Sequence, residues 1–355
     1  MDVRAFLREL QRDRHYRGQI AAVEELPARP ARYAPPQTPL HPVLRQMLRA
    51  EGIEELYLHQ ARAIDALAAG RNVVVVTGTA SGKTMCYNLP VLQSLLESPE
   101  ARALYLFPTK ALAQDQLGTL KRLAAADLIL SGTVRPATYD GDTPNSQRRR
   151  IRESANIVLS NPDMLHQGIL PYHGRWATFL ARLRYVVIDE VHAYRGIFGS
   201  HVAGVLRRLR RVCEHYGARP RFVCCSATIA NPGEHAARLT GLPVEVIDED
   251  GSPRGRKFFL LWNPPLVEQD TLARRSANVE AQTLMGRLIE RGAQTITFCK
   301  ARVVAELIYR YLREDLEKRR GDLVERIRPY RGGYLANERR EIERQLFSGK
   351  LLGVS

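Results

Sequence analysis

Val73-Val74-Val75-Val76-Thr77-Gly78-Thr79-Ala80-Ser81-Gly82-Lys83-Thr84 reads as a strand buried on both faces, a turn of small residues, and the start of a helix that runs through Met85 to Leu96. Small residues let consecutive backbone N–H groups converge on an anion, and a helix N-terminus adds positive potential there. Lys83 is placed to reach the β and γ phosphates of a nucleotide. Thr79, Ala80, Ser81 and Gly82 line the loop, and the Thr84 hydroxyl is available to magnesium. The full pattern asks for Gly or Ala five places before the Gly-Lys pair. Thr77 stands there instead, and the first glycine falls one place later.

The strand-then-helix pattern recurs along the chain, at 72–77, 103–107, 157–160, 185–189 and 222–226. Continuous apolar runs, rather than alternating ones, mark strands covered on both faces. Their alternation with helices predicts an α/β fold, a doubly wound parallel sheet spanning residues 43–250. Turn formers at Gly251-Ser252-Pro253-Arg254-Gly255-Arg256 and Asn263-Pro264-Pro265 place a linker over 251–275. A second α/β stretch follows over 276–355, with a helix at 276–291, a strand at 295–299, a helix at 303–320 and a strand beginning at 351–355. That length falls short of the roughly 150 residues common for a domain, so the expectation is a partial second lobe and a chain truncated within it. Upstream, Val3, Phe6, Leu7 and Leu10 recur at helical spacing, and prolines 27, 30, 35, 36, 39 and 42 exclude a regular helix or central strand. Residues 1–42 therefore read as a short helix and an extended arm.

Composition narrows the function classes. At 355 residues the chain has room for about two domains at roughly 150 residues each. Its net charge of +15 favours polyanionic partners. Arginine-rich coding would produce the same excess, since there are 46 arginines and only seven lysines, and charge alone leaves both readings open. Five cysteines without Cys-x-x-Cys spacing predict neither a zinc ribbon nor a disulfide framework, and fit a reducing cytoplasm. No apolar run approaches the roughly 18 residues of a membrane span.

Tyr185-Val186-Val187-Ile188 delivers Asp189-Glu190 to the carboxyl end of a strand, where ligands collect in open α/β sheets. The pair divides its labour. Asp189 is expected to hold magnesium through water, while Glu190 orients and deprotonates the water that attacks the γ phosphate, so Glu190, Lys83 and Asp189 form the expected catalytic set. Two adjacent acids in a loop are common on any surface; their place after an apolar strand and downstream of a phosphate loop is what marks these.

Gly78 to Thr84, Pro108-Thr109-Lys110-Ala111-Leu112, Asp189-Glu190-Val191-His192 and Ser226-Ala227-Thr228, in that order, resemble the DEAD/DEAH-box side of the superfamily-two helicases. Ala193-Tyr194-Arg195-Gly196 and Tyr330-Arg331-Gly332-Gly333-Tyr334 are further similar to the MrfA-type bacterial DNA-repair helicases. The likeness runs from about residue 40 to the end, and implies that the doubly wound sheet is a P-loop, RecA-like lobe followed by an incomplete second RecA-like lobe. It implies that Gln60 reads adenine with its amide, and that His192, Ser226 and Thr228 couple the γ phosphate to domain movement. It implies a grip on one nucleic-acid backbone by Pro108, Thr109 and Lys110, by Ser160, Asn161, Pro162 and Asp163, more weakly by Gly141 and Asp142, and from the second lobe by Lys300 and Arg302. As plain sequence, the last two begin a solvated helix. The arginine clusters at 147–152 and 207–211 read either as auxiliary phosphate contacts or as solvated faces.

The leading expectation is therefore an ATP- and magnesium-dependent helicase or translocase acting on single-stranded or partly single-stranded DNA. DNA over RNA rests on the resemblance alone, and protein partners are unspecified. In the resembled family, an arginine-bearing motif of the second lobe completes the ATP site beyond the last residue here. An ATP- and nucleic-acid-binding fragment without turnover is thus the first alternative. A small-molecule P-loop kinase is the second, and it has no use for a backbone-gripping segment.

Overall fold

The computed structural model describes residues 1–268 and 272–355, and divides into two compact units, Ala28–Gly255 and the pairing of Met1–Pro27 with Arg256–Ser355. In the first unit seven strands form one sheet: β1 (Val73–Val76), β2 (Arg102–Leu106), β3 (Pro136–Thr138), β4 (Ile157–Ser160), β5 (Leu183–Ile188), β6 (Arg221–Ser226) and β7 (Glu245–Ile247). They lie in the order β3-β4-β2-β5-β6-β1-β7, every pair parallel. Side chains of a strand point alternately to its two faces. Val73 and Val75 accordingly enter one core with Tyr105, Leu159, Val187 and Cys225, while Val74 and Val76 enter the other with Leu104, Val158, Ile188 and Cys224. The first core is roofed by helices Pro42–Ala50, Leu58–Ala68, Lys83–Glu97 and Lys110–Ala125, the second chiefly by Gly196–His215. Both faces being covered is why the strands read as continuous apolar runs, and the doubly wound sheet is the one expected.

The second unit carries a three-stranded parallel sheet in which Gly353–Val354 lies between Thr295–Ile296 and Ile327–Arg328. Helices Ala277–Glu290 and Arg302–Arg319 pack on it through Met285, Ile289, Ile308, Leu312 and Leu316. The strand expected over 295–299 extends only over Thr295–Ile296. Three other outcomes differ from expectation. The edge strands β3 and β7 are three residues each and contain too few apolar positions to announce themselves. The strand Ile20–Leu26 pairs antiparallel with Lys257–Trp262, so the N-terminal segment belongs to the second unit rather than leading into the first. Its exposed Ala21 to Glu24 conceal it from an apolar-run search. Finally, Gly251 to Gly255 stay with the first unit, and the stretch expected as a linker over 251–275 holds strands at Lys257–Trp262, Leu266–Glu268 and Ala273–Arg274; residues 269–271 lie outside the described residues.

Candidate nucleotide site and strand-binding edge

The loop after β1 is closed across its base by the Thr77 and Ser81 hydroxyls, 2.6 Å apart and both buried. Thr77 occupies the place where the pattern asks for glycine, and its hydroxyl finds a partner there. Ala80 and Gly82 adopt left-handed backbone conformations (φ 60° and 79°), which turn successive N–H groups toward one side of the loop. Gly82 is required twice over, since a Cβ at this position would also lie 2.7 Å from Gln60 Nε2. Lys83 Nζ donates to the carbonyls of Thr77 and Gly78, each at 2.9 Å, holding the ammonium over the loop. Gln60 Oε1 accepts from Tyr57 N at 2.9 Å while Nε2 donates to the Gly82 carbonyl at 3.0 Å. One N–H and one lone pair of that amide are left for another partner. Tyr57 stacks on Tyr33 and on His59, with centroids 5.4 and 5.8 Å apart.

Asp189 extends the sheet ladder by one step, its N–H donating to Leu106 O at 3.0 Å. Its Oδ1 accepts from Glu190 N at 2.9 Å, and its Oδ2 lies 3.2 Å from the Tyr87 hydroxyl. Burial pushes the Asp189 carboxyl above its ordinary range and the Glu190 charge adds to this. The Glu190 N–H, Tyr87 and the Lys83 ammonium pull the other way. Tyr87 lies on the helix that Lys83 begins, so its hydrogen bond brings that helix against the acid-bearing end of β5. Glu190, at φ 53°, turns its carboxylate to within 3.1 Å of His192 Nδ1. Ser226 Oγ and Ala227 N stand 3.5 and 3.4 Å from the same nitrogen. Strand register explains the meeting: Val76 pairs with Ser226, and Ile188 with Cys224, so three loops leave adjacent strands side by side. Thr228 is exposed, outside this hydrogen-bonded set. Thr84 lies one turn before Tyr87 on the helix Lys83–Glu97.

The expected strand-binding residues emerge after β2, β3 and β4, three neighbours in the sheet. Thr109 Oγ1 caps the helix Lys110–Ala125 by accepting from Leu112 N, and Pro108 is half-buried before it. Lys110 Nζ pairs with Asp142 Oδ1 at 2.8 Å, beside Gly141, whose missing Cβ would sit 3.6 Å from the same ammonium. Asn161 Oδ1 accepts from Met164 N at 2.8 Å, and Asp163 is exposed. Ser160 and Pro162 depart from expectation. Both are buried, and the Ser160 hydroxyl donates to the Tyr139 carbonyl at 2.6 Å, because it ends a strand with neighbours on both sides. In the second unit Lys300 and Arg302 are exposed at a helix start, with the Arg302 guanidinium against Gly332.

Sequence reading missed two participants. Tyr87 is buried among apolar residues of its helix, and only its contact with Asp189 brings it to the site. Asp250 lies in the stretch just before the expected linker; its Oδ2 stands 3.4 Å from Gly78 N and 3.1 Å from Arg29. Burial opposes its ionisation, but hydrogen bonds from Ser252 and Gly78 N, with Arg29, hold its carboxyl below the usual range. A Pro-rich arm bearing Arg29 and a turn after β7 carry no local signal of meeting a phosphate loop.

Comparison with known proteins returns a match of residues 57–235 to the family model described as DEAD/DEAH box helicase. The chain is 48% identical over 330 residues to the uncharacterized ATP-dependent helicase YprA of Bacillus subtilis, covering 93% of this chain and 43% of that protein. It is 42% identical to the ATP-dependent helicase hrq1 of Schizosaccharomyces pombe, covering 99% of this chain and 34% of the relative. A crystal structure of the DUF1998 helicase MrfA bound to DNA and AMPPNP superposes with a TM-score of 0.90 at 46% identity, covering 98% of this chain and 48% of that one. The chain spans less than half the length of each of these relatives.

Proposed function

The chain belongs to the DEAD/DEAH box helicases, and on that premise we propose that it carries the ATP-binding part of a DNA helicase or translocase, coupling ATP hydrolysis to movement on a single strand. The observation that carries this reading is the approach of the phosphate-loop helix to the acid-bearing strand end, the Tyr87 hydroxyl standing 3.2 Å from Asp189 Oδ2, beside a loop that Ala80 and Gly82 hold in left-handed turns. Gln60 keeps a donor and an acceptor for an adenine edge, and the loop N–H groups with Lys83 take the phosphates. Thr84 and Asp189 supply the hard oxygen donors a magnesium ion requires. Such an ion neutralises charge building on the phosphates during transfer.

Glu190 is the base in this reading. Its carboxylate is aimed by His192, and withdrawing a proton from water would alter the His192 contact that Ser226 and Ala227 share. Thr109, Lys110, Gly141, Asn161 and Asp163 mark the strand track, with Lys300 and Arg302 contributing from the second unit. The solved relative that holds both DNA and AMPPNP supports DNA as the polymer and ATP as the nucleotide. Free thiols at all five cysteines, four of them buried, support a reducing cytoplasm as its location.

The test is ATP hydrolysis by this chain, measured alone, with single-stranded DNA and with single-stranded RNA, beside the Lys83→Ala variant. Stimulation by DNA that disappears in the variant is the expected result. ATP binding without stimulated turnover would overturn the hydrolytic part of the reading.

A further inference from the structure

The first unit contains a second basic site that the nucleotide loop and the strand-end residues do not use. A cavity of about 400 Å³ opens between the helix Asn145–Ser154 and the segment 164–176. Arg148, Arg152 and Arg175 line it, and no carboxylate is among its lining residues. Ion pairing separates these arginines from eight others of the unit. Arg29, Arg32, Arg62, Arg71, Arg122, Arg149, Arg182 and Arg238 each face an acid. Among the described residues none of the three around the cavity does. Arg148 instead donates to the neutral carbonyls of Thr143 and Asp140, both at 3.1 Å, and lies 5.1 Å from the Tyr139 ring centre. Three guanidinium charges without a counter-charge around one concavity call for an anion from outside.

The rim tells which anion. Tyr172 is 53% exposed, with Arg175 positioned 5.4 Å from its ring centre. A large aromatic face held in solvent beside cations is a surface on which a flat ring stacks. Trp176 is buried beneath, edge-on to Tyr139 at 4.8 Å, giving the floor rigidity. The local backbone is irregular: a π-helical turn at Leu165–Ile169 leads into 3-10 turns that break at Tyr172 (φ −109°, ψ 28°). A regular helix would aim these side chains elsewhere, and π turns gather at functional positions.

The geometry points to this cavity as a seat for one nucleotide of a bound nucleic-acid strand, its phosphate against Arg148, Arg152 and Arg175 and its base on Tyr172. The volume suits one nucleotide and not a duplex. Its walls continue from the expected strand track, because Tyr139 leads into the Gly141-Asp142 tip and Met164 into the Asn161 cap. The assignment rests on the strand-binding reading above in taking nucleic acid as the ligand. It adds a station beyond the strand-end residues.

Binding of a short fluorescein-labelled oligodeoxythymidylate to the full chain tests it, across a salt series, for the wild type, Arg152→Ala/Arg175→Ala and Tyr172→Ala. ATP binding and melting temperature serve as controls for folding. The double variant is expected to lose about tenfold in affinity, with a salt slope lower by about 0.7, the share of one phosphate on a single strand. Tyr172→Ala is expected to lose about tenfold with the slope unchanged. A strand bearing 5-iododeoxyuridine should photocrosslink at Tyr172, and 5-iododeoxyuridine monophosphate at the same concentration should not. Equal crosslinking by the monophosphate would make this a free-nucleotide pocket and overturn the proposal. Unchanged affinity and slope in the variants would overturn this seat alone, while failure of the wild-type chain to bind any strand would overturn it together with the helicase reading.

Discussion

The Tyr87 hydroxyl stands 3.2 Å from Asp189 Oδ2 and 3.3 Å from Gln116 Oε1, so an aromatic side chain of the phosphate-loop helix braces the acid that ends β5. The brace is half-buried, and hydrogen bonds to charged groups contribute about 1.5–3 kcal/mol. Tyr87→Phe keeps the packing and removes the bond. Its expected outcome is a loss of about 1–2 kcal/mol in urea unfolding together with weakened magnesium-dependent ATP binding. Unaltered magnesium dependence would remove Tyr87 from the site.

Asp189 itself gives a prediction with a defined sign. Burial raises its carboxyl above the ordinary value of 3.8. A folded state that holds a proton more tightly than the unfolded one is favoured in acid, and that stability is lost as pH rises through the folded value. At neutral pH the ionised carboxylate is therefore a burden on the fold. Asp189→Asn should raise the melting temperature at neutral pH, with the gain shrinking as pH falls toward 3.8, and should abolish magnesium-supported cleavage. A variant that is less stable at neutral pH would contradict the assignment.

Lys83 and Glu190 should separate binding from cleavage. Lys83→Ala removes the ammonium over the loop and is expected to abolish ATP binding, measured by calorimetry. Glu190→Gln keeps the loop intact and should bind ATP with unchanged affinity while losing cleavage by a factor of about a hundred or more in single-turnover assays. Cleavage at the wild-type rate in Glu190→Gln would place the base elsewhere.

The exposed Lys110–Asp142 pair predicts a gain of function. Asp142 occupies the Lys110 ammonium at 2.8 Å and raises its pKa through that hydrogen bond. If the strand backbone passes here, the carboxylate competes with phosphate. Asp142→Ala is expected to tighten single-strand binding by about threefold and steepen its salt dependence by about one unit. Weaker binding would mean that Asp142 positions the loop instead.

Much of this site is legible in the sequence for a physical reason: parallel strands buried on both faces write continuous apolar runs, and the residues after each run must emerge on one edge. Val73 to Lys83 and Tyr185 to Glu190 are found that way. Tyr87 and Asp250 are not, since each reaches the site through tertiary contact and is locally indistinguishable from a core tyrosine and a turn acid. The edge strands β3 and β7 escape because three residues carry too little pattern. Ser160 misleads in the opposite direction: the strand end that suggests exposure also supplies the Tyr139 carbonyl that buries its hydroxyl.

The N-terminal segment offers the sharpest test of the division into units. Phe6 and Leu10 of the helix Val3–Arg12 are buried, and Arg291 lies 4.9 Å from the centre of the Phe6 ring. Arg287 pairs with Asp13 and Arg291 with Glu9, while Ile20–Leu26 covers the strand Lys257–Trp262. The His15 N–H, with Arg287, lowers the Asp13 carboxyl from 3.8 to about 2. Its contribution is present above 3.8 and is lost as pH falls through about 2, so this docking should loosen in acid. Phe6→Ala should cost about 3 kcal/mol, and deleting residues 1–27 should cost more by also baring a strand edge. Hydrogen exchange reads the result by region: faster exchange is expected across 257–262 and 277–290, with the strands of the parallel seven-stranded sheet unchanged. Protection lost at Val73–Val76 instead would assign the segment to the wrong unit.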